Sequence, residues 1–119
     1  SGAVVYDLAG PLFFGAAQRA LGALGAISDG ARIVIFDMAQ VPVMDATGLV
    51  AFESALEELH RQGRVAILSG LQKQPRHILR RSGTLDRVPG TVLCATLPHA
   101  LLVAESHPAR LSAAAAPAR

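Results

Sequence analysis

Tryptophan is missing from this chain, and one tyrosine and four phenylalanines bring the aromatic share to only 4% of 119 residues. Single-stranded nucleic acids are gripped largely by stacking their bases on aromatic side chains, and that platform is not available here. Charge supplies no substitute. Eleven Lys and Arg against nine Asp and Glu leave a formal charge of +2, too small an excess to mark a nucleic-acid binder. Cysteine occurs once, at Cys94, so no internal disulfide can form. This fits a reducing compartment, and a lone Cys in an apolar run reads as core. Long hydrophobic runs are lacking too. The longest charge-free stretch, residues 88–104, is broken by Pro89, Gly90 and Pro98, and no run reaches the roughly 20 apolar residues of a membrane helix. The N-terminus has no basic segment leading into an apolar one, as a secretory leader would. The expectation is a soluble piece holding one domain with one core. If its parent is a membrane protein, the membrane part lies elsewhere.

Signatures of catalysis and metal binding are equally scarce. There is no Gly-x-Gly-x-x-Gly, Walker A loop or Gly-x-Ser-x-Gly elbow. His60, His77, His99 and His107 lack the short spacings of metal ligands. Asp37 and Asp45 flank the loop after the central apolar run. A carboxylate pair could do acid–base work only if both converged on a substrate, and each has a local explanation as a strand end or helix cap. No enzyme, cofactor or metal is expected.

What the chain does have is alternation. Residues 4–8 read as a strand, Gly10-Pro11 as a turn, and Leu12-Phe13-Phe14 as a short second strand. A helix follows over about 16–26, with Ala17, Leu21 and Leu24 at helical spacing. Ile33-Val34-Ile35-Phe36 is apolar without alternation and rich in β-branched residues, the mark of a strand covered on both faces. Next comes a helix over about 47–62 whose Leu49, Phe52, Leu56 and Leu59 form one stripe. Glu53, Glu57 and Arg61 fall on its other side, with Glu57 and Arg61 spaced to pair. Gly63 ends it. Val65–Leu68 is another buried strand, a helix with Pro75 in its first turn runs to Ser82, and Val92–Cys94 is the last strand. Thr96 caps a final helix over about 97–105. The tail, 106–119, is rich in Ala, Pro and Arg and lacks the apolar bulk to pack; disorder is expected there. Residues 1–3 read as linker or cloning remnant. The order implies right-handed crossovers and a largely parallel sheet.

Two places stand out. Asp45-Ala46-Thr47-Gly48 lies between an apolar strand and an amphipathic helix. Asp is a strong helix cap, because its carboxylate accepts the unpaired N–H groups of the first turn. The same helix start attracts anions or partner side chains. Farther on, Lys73, Arg76, His77, Arg80 and Arg81 recur at i, i+3, i+4, i+7 and i+8, one basic face of a helix, with Arg87 close in sequence. Such a face is either simply solvated or an electrostatic contact. Anionic lipid headgroups would contribute about 1 kcal/mol per basic residue, and an acidic protein could use the same face.

Asp45-Ala46-Thr47-Gly48-Leu49 after an apolar strand resembles the Asp-Ser-Thr-Gly signature of STAS domains. Gly10-Pro11-Leu12-Phe13-Phe14-Gly15, Leu68-Ser69-Gly70-Leu71-Gln72 and Ser82-Gly83-Thr84-Leu85-Asp86 are similar to the C-terminal STAS domains of SulP-type anion transporters. The likeness spans about 4–105. It implies an α/β STAS fold, the one also used by anti-sigma-factor antagonists, with a mixed, mostly parallel sheet of about five strands and about four helices. It further implies a regulatory contact domain on the cytoplasmic side of the bacterial inner membrane, attached to a transporter of sulfate, bicarbonate or dicarboxylates. Its implied contact residues are Asp45, Ala46, Thr47 and Gly48; the helical spacing adds Lys73, Arg76, Arg80 and Arg81 as a second, basic surface. Implied partners are the transmembrane domain of the same transporter, an acyl carrier protein or nucleotide held weakly, and a second copy through the parent transporter; the basic face adds an anionic lipid surface. The alternative is a free-standing anti-sigma-factor-antagonist-like module. That branch phosphorylates the hydroxyl residue after the Asp, and Ala46 has no hydroxyl.

Overall fold

Ile33, Val34, Ile35 and Phe36 are fully buried on both sides of the pleat, the place such a segment demands in an α/β sheet. They open β2 (Ile33–Gln40). Its neighbours are β1 (Ala3–Ala9) on one side and β3 (Val65–Ser69) on the other, with β4 (Val92–Cys94) beyond β3. All three pairings are parallel. The computed structural model describes residues 2–22, 24 and 30–109. The expected tail from 110 onward, the end of the first expected helix and Ser1 lie outside them.

Five helices occur among the described residues: α1 (Phe14–Gly22), α2 (Ala46–Arg61), α3 (Lys73–Ser82), the one-turn α4 (Thr84–Arg87) and α5 (Leu97–Ser106). Strand order follows chain order. Right-handed crossovers between sequential neighbours put every connecting helix on the same face. Ala17 and Leu21 of α1, Phe52 and Leu56 of α2 and Leu79 of α3 accordingly share a core with Val34, Phe36 and Leu68. Phe36 anchors it, edge to face with Phe52 at 5.4 Å and with Tyr6 at 6.0 Å. The last helix, α5, returns to the opposite face, where Ala100 and Ala104 meet Ile33, Ile35, Ile67 and Cys94. Burial of Cys94 pushes its thiol pKa up.

Among the described residues the sheet is wholly parallel and not mixed, and the one-turn α4 adds a fifth helix to the expected four. Two further expectations change. Leu12–Phe14 is not a fifth strand: Leu12 makes an isolated parallel bridge to Met44, and Phe14 already belongs to α1. Pro11 has no N–H to extend a ladder, and Phe13 O already accepts from Ala17 N–H. Nor does Arg61 pair with Glu57. It pairs with Glu58, which also accepts from Gln62 Nε2 at 2.9 Å.

Candidate functional site

Three loops meet at the carboxyl ends of β1, β2 and β3. Gly10 N–H donates to Gln40 O at 2.8 Å and Leu12 N–H to Val43 O at 2.9 Å. Gln72 Nε2 donates to Ala39 O at 2.8 Å. Gln74 then grips the turn from α3: its Oε1 accepts from Met44 N–H at 2.8 Å, and its Nε2 donates to Met44 O at 2.9 Å. The Asp45 turn is thereby held by backbone from the first loop and by a side chain from α3.

Asp45 caps α2 as expected. Its Oδ1 accepts from Gly48 N–H at 2.7 Å and from Thr47 Oγ1 at 2.8 Å. The Gly48 bond first, and then that from Thr47, hold the Asp45 carboxyl below its usual range. Gly48 is buried for a different reason. A Cβ there would fall 1.9 Å from Leu12 O and 2.8 Å from Leu12 C, so only glycine lets the helix start lie against the first loop. Asp45 is half-buried, while Ala46 and Thr47 are exposed. Of the four, Ala46 and Thr47 are therefore what a partner would meet. Beside them is an apolar surface that periodicity concealed. Phe14 and Val50 line one groove between α1 and α2. Phe13 and Phe14 are each 47% exposed and Val50 is 61% exposed. These are large apolar groups left in water on adjoining elements.

Lys73, Arg76, His77, Arg80 and Arg81 are all exposed along α3. Arg87 leaves this group. Its Nε and Nη2 donate to Glu53 of α2 at 2.6 and 2.8 Å, and the buried Thr84 hydroxyl donates to the same carboxylate at 2.8 Å. The Arg87 hydrogen bond is the main reason that the Glu53 pKa lies below the ordinary value. Asp37, the other carboxylate near the loop, accepts from Ala39 N–H at 3.2 Å. Both Asp37 and Asp45 are thus engaged with local backbone. Among the described residues, no three His, Cys, Asp or Glu side chains converge as a metal set, and no helix is long and apolar enough to cross a membrane.

The chain as a whole has counterparts among known proteins. The STAS domain family model matches residues 1–100. The chain belongs to the STAS domain family. The bicarbonate transporter BicA of Synechocystis sp. is 33% identical over 86 residues, 72% of this chain but only 15% of BicA. Two solved structures are similar over most of both chains. A sulfate transporter family protein from Wolinella succinogenes is 30% identical with a TM-score of 0.77, covering 87% of this chain and 85% of that one. The SulP transporter STAS domain from Vibrio cholerae is 28% identical with a TM-score of 0.75, covering 88% and 82%. The unphosphorylated anti-sigma factor antagonist SpoIIAA shares the fold at 18% identity and a TM-score of 0.65, covering 88% and 91%.

Proposed function

We propose that this chain is the cytoplasmic STAS domain of a SulP-type anion transporter and that it regulates by contact, not by catalysis. The observation that carries the reading is the turn itself. Ala46 and Thr47 are displayed beside Phe14 and Val50 on a helix start fixed by Gly48 and Gln74. The contact we infer is with the transmembrane part of the same polypeptide. Support comes from the transporter relatives, of whose length this chain spans 15% in the case of BicA. The cargo class we propose is a small oxyanion: bicarbonate, sulfate or a dicarboxylate.

Phosphorylation fits the turn poorly. Ala46 cannot accept phosphate, and the Thr47 hydroxyl lies 2.8 Å from the Asp45 carboxylate. A phosphate there would add about two negative charges beside an existing one. The gene provides the test. A reading frame that continues upstream into about ten apolar spans of membrane length is the expected result. A frame that begins at this domain, together with phosphate on Thr47 in the intact mass after incubation with a kinase encoded beside it, would instead establish the antagonist-like module.

A further inference from the structure

The sheet's carboxyl edge holds a second concavity, away from the Asp45 turn. It is a cleft of about 220 Å³ between α3 and the end of β4, lined by Leu71, Arg76, Arg80, Leu93, Cys94 and Ala95. Its position follows from the pairing of β3 with β4, in which Ser69 faces Cys94 and Gly70 N–H donates to Cys94 O at 3.2 Å. The cleft opens at the carboxyl ends of β3 and β4. Two guanidinium groups line it. They stand four residues apart on α3, so they are neighbours on its surface and repel each other. Among the described residues neither has an ion-pair partner, whereas the nearby Arg87 is held by Glu53. An anion between them would relieve the repulsion and accept forked N–H donors, the geometry in which arginine recognises phosphate and carboxylate.

We propose that this cleft is an oxyanion site, with Arg76 and Arg80 holding a phosphate group. Size decides among phosphate ligands. Pockets that enclose drug-sized molecules run to roughly 300–1,000 Å³; at about 220 Å³ this cleft suits the group itself or a small headgroup, not a whole nucleotide. Leu71, Leu93 and Ala95 give the cleft an apolar side on which the first carbons of a lipid headgroup could rest. The phosphate can therefore be free or lipid-borne. The proposal goes beyond the contact turn and holds or fails independently of it.

The test is a two-dimensional NMR titration of the 119-residue chain with inorganic phosphate, and separately with a short-chain phosphatidylglycerol below its micelle concentration. Two double variants accompany it: Arg76→Gln/Arg80→Gln, and Lys73→Gln/Arg81→Gln, which removes equal charge from the same helix outside the cleft. The expected result is saturable shifts at the amides of Gly70, Leu71, Cys94 and Ala95. Affinity should fall about tenfold or more in the first variant and stay nearly unchanged in the second. Response to inorganic phosphate identifies a free anion site; response to the lipid alone, with the same variant dependence, identifies a headgroup site. Equal weakening in both variants, or no response to either probe, overturns the proposal. All four substituted residues are exposed, and the unligated spectra report directly that the variants are folded.

Discussion

Gly48 carries two meanings at one position. In sequence it reads as part of a ligand or partner motif. In three dimensions it is the point where the first turn of α2 touches the Leu12 carbonyl. Its neighbour Asp45 was legible from sequence, because capping is local chemistry between residues three apart. The reason for the glycine was not, because Leu12 comes from a distant part of the chain and nothing near Gly48 announces it. Gly48→Ala must push α2 off the first loop. We expect a loss of about 1–3 kcal/mol or more in urea unfolding, the usual range for overpacking. Wild-type stability in this variant would mean that the loop yields freely. Ala46 and Thr47, exposed on the same turn, should accept substitution without such a penalty.

Among elements, the longer helices were legible; the one-turn α4 and the attachments between helices were not. The 3-4-3 spacing of Leu49, Phe52, Leu56 and Leu59 assigned the inner face of α2 correctly, and all four are buried. Its polar side was harder to read. Glu53 turns to α4 and ties Arg87 and Thr84 to α2, so Arg87 cannot be counted with the free basic face. Glu57 adds to the field at Arg87 and is not Arg61's partner. Gln74 gave no signal at all, being one amide on a polar helix. Yet its two hydrogen bonds to Met44 lock α3 to the candidate site. Replacing it by Leu, which keeps bulk and removes both bonds, should cost about 1–3 kcal/mol and should speed hydrogen exchange at the Met44 amide. Unchanged exchange there would show that the turn does not depend on α3.

At the scale of the whole molecule, strand order and acid response follow from the same chain. Alternating strands and helices were enough to give the parallel α/β class. They did not reveal that Leu12 contributes only a bridge, because a three-residue apolar run has no periodicity to distinguish a strand from a helix entrance. Asp45, Glu53 and Glu58 all have carboxyl groups held below their ordinary values, chiefly by hydrogen bonds from Gly48 N–H, Arg87 and Arg61 respectively. A carboxyl depressed by folding contributes its full stabilisation above its unfolded value, about 4, and loses it as pH falls through the folded value. Urea midpoints should therefore be level near neutrality and decline below about pH 4.5. Asp45→Asn with Glu53→Gln should flatten that decline, since neither replacement can titrate. An equally steep decline in the variant would assign acid sensitivity to other groups.

The contact reading leads to one decisive measurement: uptake of labelled bicarbonate and sulfate by the transporter proposed to carry this chain, with and without Ala46→Arg plus Val50→Asp. Both positions are exposed, so the melting temperature of the 119-residue chain should not move. The account predicts that, at equal protein levels, uptake of the transported anion changes several-fold. Uptake indistinguishable from that of the unmodified protein would contradict the claim that the Asp45 turn and its apolar flank are where this domain acts.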